Sequence, residues 1–113
     1  MDRMRIGLEA EQQATDFLAS LGWVILARNV RSKLGELDIV ARDQDVTVFV
    51  EVRARGPGAW ESALESVTRE KARRVVRAAR WYAATRGLEG PLRIDVVAVQ
   101  DGRLAHVVNA LPG

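Results

Sequence analysis

Residues 35–53 read GELDIVARDQDVTVFVEVR, two mainly apolar runs on either side of the polar segment Asp43-Gln44-Asp45. Such runs around a short polar turn predict an antiparallel hairpin, with strands over residues 34–41 and 46–53. An even-membered turn makes one face of this hairpin wholly apolar, whereas an odd-membered turn would break that face. The cross-strand pairs predicted on the apolar face are Ala41–Val48, Ile39–Val50 and Leu37–Val52.

The other face of the predicted hairpin carries two acidic residues directly opposite each other. In this register Asp38 faces Glu51, with Cβ atoms roughly 4.5–5.5 Å apart. The neighbouring pair Val40–Phe49 indicates a face that is at least half buried. Two like charges so placed destabilise a strand pair, and a hard divalent cation such as Mg²⁺ would relieve their repulsion. Neutralisation of the pair by Arg53 and a second basic side chain is the alternative.

Arg53 follows Glu51 by two residues and therefore lies on the same face of the strand. A lysine at this point would place an ammonium group beside the attacking water of a phosphodiester hydrolysis. The guanidinium of Arg53 is always protonated, so it can stabilise negative charge but cannot serve as a base. An ion pair with Glu36 on the other strand is an equally open interpretation.

The rest of the chain extends the hairpin into an α/β domain. Before the hairpin, the predicted elements are a helix over 5–21 that stops at Gly22, a strand over 23–27 and a loop over 28–33. The hairpin ends at residues 56–58. After it, a second helix starts at Ser62 or Thr68 and stops at Gly87, and two strands follow over 92–99 and 103–108 around Asp101-Gly102. The order is α-β-β-β-α-β-β. A single domain over residues 1–113, with one mixed sheet flanked by a helix on each side, is the simplest way to bury these elements.

The composition excludes several kinds of chemistry. The 113 residues include no cysteine, which rules out disulfides, thiolate zinc sites and cysteine nucleophiles. The single histidine, His106, alternates with apolar residues and is interpreted as structural. No apolar signal core or membrane-spanning stretch is present, so a cytoplasmic protein without a membrane partner is expected.

Basic residues concentrate in one part of the chain. Residues 52–86 hold nine basic and three acidic side chains, although the whole chain has a net charge of only +2. On the second helix four arginines form a stripe that could follow phosphates, namely Arg69, Arg73, Arg77 and Arg80. Lys71 lies on a different stripe, which turns it toward the sheet. An ordinary solvated helix face, and a lysine at the edge of the core, are the alternatives. Trp60 is interpreted as a hydrophobic anchor rather than a base-stacking residue.

Several of these segments together resemble the YraN family, small bacterial proteins placed in the restriction-endonuclease-like superfamily. The matching residues are Gly7, Glu11, Ala14 and Leu18 on the first helix, Arg28-Asn29-Val30-Arg31, Gly35-Glu36-Leu37-Asp38-Ile39-Val40, Val48-Phe49-Val50-Glu51-Val52-Arg53 with Arg55, Val67-Thr68 with Lys71, and Arg93-Ile94-Asp95-Val96-Val97. Each piece alone is weak, but the combination is specific. It covers about residues 5–99.

The resemblance implies a restriction-endonuclease-like mixed sheet related to that of Holliday-junction resolvases. By motif position, Asp38 and Glu51 would be the carboxylates that hold Mg²⁺ or Mn²⁺, and the carbonyl of Val52 would be a further ligand. Glu11 would be the helix carboxylate that reaches the site. Arg53 stands where the superfamily usually has lysine.

Three functions follow as hypotheses. The first is a metal-dependent endonuclease that acts on DNA or branched nucleic acid, with Arg53 offsetting the charge on the phosphate. The second is a nucleic-acid-binding module on the same fold that no longer cleaves, for which the arginine at position 53 would be the mark. The third is a protein-interaction subunit that uses the exposed second helix. Whether the chain forms a homodimer stays open.

Overall fold

The computed structural model describes residues 3–54 and 69–110. Within these ranges the elements are α1 (Arg3–Ser20), β1 (Val24–Arg31), β2 (Glu36–Asp43), β3 (Val46–Ala54), α2 (Arg69–Thr85), β4 (Leu92–Gln100) and β5 (Arg103–Val107). The strands form one mixed sheet in the order β1-β2-β3-β4-β5, in which only β3 and β4 are parallel. The predicted α/β class and the element order are confirmed. No helix in the described ranges is long and apolar enough to cross a membrane.

The two helices lie on opposite faces of the sheet. Successive residues of a strand point to opposite faces, so β3 packs against both helices. Val48 and Val50 pack with α1 in a first apolar cluster, whereas Phe49 between them packs with α2 in a second. In the second cluster the rings of Phe49 and Tyr82 meet edge to face, with centroids 5.9 Å apart. Since β3 is covered on both sides, its central residues are fully buried.

The predicted register of the hairpin is confirmed up to its open end. The ladder contains the pairs Ala41–Val48 and Ile39–Val50, and the two-residue turn is Gln44-Asp45, with Gln44 at φ +55°. The last ladder pair between the described β2 and β3 is Ile39–Val50. The predicted pair Leu37–Val52 does not form, because β2 changes its facing at Asp38 and Leu37 packs in the second cluster, beside α2.

The first strand is longer than predicted. The expected loop over 28–33 was wrong in its first half, because β1 continues to Arg31 and pairs with β2 through Arg28–Ile39 and Val30–Leu37. An edge strand has one free side, so it accommodates polar residues that would be costly in a central strand. Asn29 adopts φ +52°, a left-handed conformation that asparagine tolerates better than most residues.

The end of the second helix follows the prediction, whereas its start cannot be compared. α2 ends at Thr85, Gly87 adopts φ +60°, and the N–H of Leu88 donates to the carbonyl of Ala83 at 2.9 Å, which closes the helix. The proposed starts at Ser62 and Thr68, the segment 56–58, and Trp60 lie outside the described residues.

Asp95 on β4 is the centre of a buried polar network on the α1 side of the sheet. Its side chain is fully buried and accepts hydrogen bonds from the guanidinium of Arg93 (2.9 and 3.1 Å), from the backbone N–H of Asn109 (2.9 Å) and from His106 Nε2 (2.8 Å). Burial alone would raise the pKa of Asp95, but these donors outweigh it and lower the pKa. His106 also meets the rings of Phe17 and Trp23 edge-on, in agreement with a structural role.

Replacing the buried carboxylate should therefore destabilise the protein strongly. We expect Asp95→Asn to cost about 3–5 kcal/mol in the free energy of unfolding, because it removes the buried charge that Arg93 and His106 contact and leaves Arg93 only the more distant Asp43, at 3.8 Å. Urea denaturation at pH 7 measures this cost. Asp101→Asn, in the exposed turn between β4 and β5, is the matched control and should change little. A loss below about 1 kcal/mol for Asp95→Asn would contradict the assigned role of the network.

Candidate functional site

The open end of the hairpin forms one wall of a cavity under α2. The cavity has a volume of about 430 Å³ and lies between β2, β3 and the first turns of α2. It is lined by Gly35, Glu36, Asp38, Glu51, Val52, Arg53, Lys71, Arg74 and Val75. The ends of two strands and one helix thus bring two acidic side chains of the predicted site together with two basic ones.

Asp38 lies in the gap where the two strands separate. The backbone N–H of Val52, which an uninterrupted ladder would direct to a carbonyl of β2, donates instead to Asp38 Oδ2 at 2.8 Å. The carboxyl groups of Asp38 and Glu51 are hydrogen-bonded to each other. The predicted proximity of the two acids is therefore present, although a side-chain interaction and not a ladder pair produces it.

The two acids share a proton chiefly because both carboxyl groups are withdrawn from water and lie beside each other. Burial, together with the negative charge and hydrogen bond of Asp38, raises the pKa of Glu51 to about 8, and the cations Arg53 and Lys71 offset only part of this rise. Burial also raises the pKa of Asp38, against the lowering effect of the Val52 N–H. The stable form at neutral pH is a protonated Glu51 that donates its hydrogen to the carboxylate of Asp38.

Arg53 is held beside this pair. One of its terminal nitrogens lies 3.4 Å from Glu51 Oε1, and both side chains are largely buried, with 15% and 14% of their surface exposed. Glu36, the cross-strand partner considered from the sequence, contacts Arg31 at 3.8 Å at the surface. The permanent charge at position 53 is thus directed at a candidate metal ligand.

Lys71 enters the cavity from the first turn of α2. The residue is exposed, and its charge lowers the pKa of Glu51, so it is electrostatically coupled to the site. Gly35 forms the opposite wall and was not identified from the sequence. A Cβ atom at Gly35 would lie 3.1 Å from the backbone oxygen of Arg74, so only glycine allows α2 to approach this closely. The Gly35-Glu36 step before the hairpin was the available signal.

Glu11 lies behind the site and not in it. The residue is buried, with 7% of its surface exposed, and its Oε1 accepts hydrogen bonds from Arg28 Nε (3.1 Å) and Asn29 Nδ2 (2.9 Å). It is not among the residues that line the cavity, but its charge raises the pKa of Asp38. Glu11 was expected to reach the site, and its link to the site is this effect on the pKa of Asp38.

The donor set suits a hard divalent cation. Mg²⁺ is usually held by one or two carboxylates and keeps several water ligands, so it does not need a larger protein cage. The described residues contain no group of three or more acidic or histidine side chains that could hold a metal. Asp38 and Glu51 would therefore be its side-chain ligands, with the carbonyl of Val52 as the further ligand implied by the resemblance. A bound cation would replace the proton that the two acids now share.

The four arginines of the predicted stripe all lie on the exposed surface of α2. Arg74 is a neighbour outside the stripe and pairs with Glu70 at 2.8 Å, one helical turn away. Arg69 and Arg73 each lie two residues from Lys71, so the stripe is on the outer side of α2 and faces away from the cavity. A polyanion on the stripe would have to curve around α2 to reach the acidic pair.

The shared proton should make the stability of the metal-free protein depend on pH. The pKa of Glu51 rises from 4.5 to about 8 on folding, so the folded state binds this proton more tightly than the unfolded state does. Its contribution to stability is complete below pH 4.5 and is lost as the pH rises through about 8. In EDTA, we expect the melting temperature of the wild type to fall across this window more steeply than that of Glu51→Gln.

Glu36→Gln is the matched control because Glu36 is an exposed glutamate on the same cavity wall. It should retain the pH dependence of the wild type. Equal slopes for the wild type and Glu51→Gln would show that Glu51 is ionised throughout this range and would contradict the shared proton.

Sequence comparisons identify the family of the chain. The model of the uncharacterised protein family UPF0102 matches residues 10–99. A UPF0102 protein from Symbiobacterium thermophilum is 46% identical over 104 residues, which cover 88% of each chain. One from Cupriavidus metallidurans is 47% identical over 94% of this chain and 80% of its own, and one from Persephonella marina is 35% identical over 92% and 90%. The chain belongs to family UPF0102, the YraN family that its motifs resemble.

Proposed function

We propose that this protein binds DNA, including branched forms, along α2 and hydrolyses phosphodiester bonds weakly at the Asp38–Glu51 pair. The observation that carries the proposal is the hydrogen-bonded pair of half-buried acids in one cavity with Arg53 and Lys71. Two adjacent carboxyl groups that retain a proton are typical of a metal-free cation site, because a divalent cation can take the place of that proton. The adjoining arginine stripe supplies the complementary surface for a polyanion.

Each side chain of the cavity has a definite part in this reaction. Asp38 is oriented by the Val52 N–H, which donates to its Oδ2 at 2.8 Å, and the residue lines the cavity. Glu51 must release its proton before both carboxylates can hold a cation, so the site favours loading as the pH rises toward 8. Bound Mg²⁺ or Mn²⁺ would supply an acidified water and stabilise the leaving oxygen.

Arg53 and Lys71 contribute positive charge to the site rather than proton transfer. The guanidinium of Arg53 stays protonated, so it offsets the negative charge that develops on the reacting phosphate. Lysine at the same point could exchange a proton, since its pKa falls readily on burial. Lys71 is exposed and reaches the cavity from α2, so it is a candidate for a second positive charge beside the phosphate.

The first experiment asks whether the acidic pair binds a divalent cation. Mn²⁺ or Mg²⁺ should stabilise the wild-type protein by mass action, by about 2.7 kcal/mol at a hundredfold excess over Kd. Thermal melts with and without metal measure the effect. Asp38→Asn should abolish the response of the melting temperature to metal, because it removes one of the two carboxylate ligands. A metal response that survives in Asp38→Asn would place the cation elsewhere.

The second experiment tests cleavage and the part played by position 53. We expect the wild type to cleave linear, flapped or four-way-junction DNA slowly in Mn²⁺ or Mg²⁺. Arg53→Lys should be faster, provided that Lys71 does not already act as the required cation. The double variant Arg53→Lys with Glu51→Gln should be inactive because a metal ligand is gone. If Arg53→Lys gains nothing on any substrate and Lys71→Ala also changes nothing, the cleavage proposal fails.

A second candidate function is a nucleic-acid-binding module that does not cleave. The permanent cation of Arg53, held 3.4 Å from Glu51 Oε1, favours it, because this ion pair competes with metal for the same oxygen. Binding without turnover in the experiment above would select this function. Either function requires that the α2 surface contact phosphates.

That contact has its own measurable signature. The logarithm of the affinity for duplex DNA should fall linearly with the logarithm of the salt concentration, with a slope near −0.9 for each phosphate contact. Replacing Arg73 and Arg77 by alanine should flatten this slope by nearly two. Replacing Arg42 and Arg103, which are exposed on β2 and β5 and not on α2, removes the same charge and should leave the slope nearly unchanged. Equal slopes for both double variants would show that the stripe makes no phosphate contacts and is an ordinary solvated helix face.

A further inference from the structure

A second, smaller cavity opens on the other flank of α2. It has a volume of about 140 Å³ and lies between α2 and the start of β4. Its apolar wall is formed by Phe49, Val76, Ala79 and Ile94. The exposed residues Arg80 and Asn109 stand on its open side. No residue of the Asp38–Glu51 cavity takes part in it.

The volume of this cavity matches a single aromatic ring. An apolar cavity of roughly 150 Å³ lined by leucine, isoleucine and phenylalanine side chains binds benzene. A fused two-ring system would exceed the cavity, whereas one six-membered ring would fill it. The apolar wall also favours the face of a ring over a charged or strongly hydrated group.

The polar residues on the open side suit a nucleotide in particular. Arg80 supplies a positive charge for a phosphate. Asn109 supplies an amide, which offers both a donor and an acceptor to the edge of a base. Its backbone is fixed from below, because its N–H donates to the buried Asp95 and the next N–H, of Ala110, donates to the carbonyl of Ile94 at 2.9 Å. The Asp95 network therefore holds Asn109 in place beside the cavity.

The two cavities are joined by the arginine stripe on α2. Lys71 and Arg74 border the larger cavity, Ala79 and Arg80 border the smaller one, and Arg73 and Arg77 lie on the exposed surface between them. From Lys71 to Arg80 the helix rises ~13.5 Å and completes about two and a half turns, so the two residues lie on opposite sides of α2 and a strand that reaches both cavities must pass over its outer face.

We propose that the smaller cavity binds one unstacked pyrimidine base of a single strand whose phosphates follow the arginine stripe toward the acidic pair. The inference rests on the proposed function and specifies its substrate as DNA with an unpaired segment. An intact duplex cannot offer a base to the cavity without first opening a base pair. A flap or an open branch has unpaired bases already.

Short single strands test the inference without metal or cleavage. The probe is a six-nucleotide oligothymidylate, compared in EDTA with an abasic strand that has the same phosphates but no bases. By fluorescence anisotropy, we expect the wild type to bind the thymidylate at least about fivefold more tightly than the abasic strand. It should also bind oligothymidylate more tightly than oligoadenylate, because a purine has two rings.

Filling the cavity should remove the preference for bases. Ala79→Leu places extra carbon atoms in the cavity, so it should bind both strands with the affinity that the wild type has for the abasic strand. Ala84→Leu, exposed on the same helix, is the matched control and should keep the preference. Asn109→Gly, which keeps the left-handed backbone but lacks the amide, should weaken the preference without disturbing the core.

The outcomes separate the inference from the proposed function. Equal binding of thymidylate and abasic strands by the wild type would overturn the base-binding cavity while leaving the phosphate-binding surface intact. A preference that survives in both Ala79→Leu and Asn109→Gly would also overturn it. If the wild type binds neither strand at low salt, the inference and the proposed function both fail.

Discussion

The hydrogen bond from the Val52 N–H to the Asp38 carboxylate governs the arrangement of the site. A side chain here takes the place of a backbone acceptor, and the β2–β3 ladder ends at Ile39–Val50 while β2 stays paired with β1 as far as Glu36. Leu37 packs on the α2 side of the sheet, and the cavity lies where β2 and β3 are no longer paired. Glu51 is then left beside Asp38 with too few donors for two negative charges.

The sheet withdraws Asp95 and the Asp38–Glu51 pair from water, but their surroundings shift the pKa values in opposite directions. Asp95 is surrounded by Arg93, His106 and a backbone N–H, which stabilise its charge and lower its pKa. Asp38 and Glu51 lack such a shell and keep a proton between them. A buried acid that is fully satisfied serves stability, whereas a pair that is not satisfied is available for a ligand. This contrast favours a binding function at the hairpin and a structural one at β4.

Helix α2 connects these sites and gives the molecule a single functional face. Its inner residues, such as Val75 and Tyr82, pack on the sheet, while its outer residues carry the arginine stripe between two cavities. Gly35 sets how closely the helix approaches the hairpin. The Asp95 network, from the opposite face, holds Asn109 at the far cavity. The proposed strand-binding surface therefore depends on core interactions that never touch the ligand.

The sequence by itself determined the α/β order, the even hairpin turn and the nearness of Asp38 to Glu51, because alternating apolar residues specify register over short distances. Only the tertiary structure decided that β1 runs on to Arg31, since an edge strand is recruited by its neighbour and not by its own apolar residues. The partners of Glu11 and Asp95 were likewise beyond the sequence. Apart from Arg93, which lies two residues before Asp95, these partners are 11 to 18 residues away, and groups so distant meet only when the sheet brings their strands and helices together.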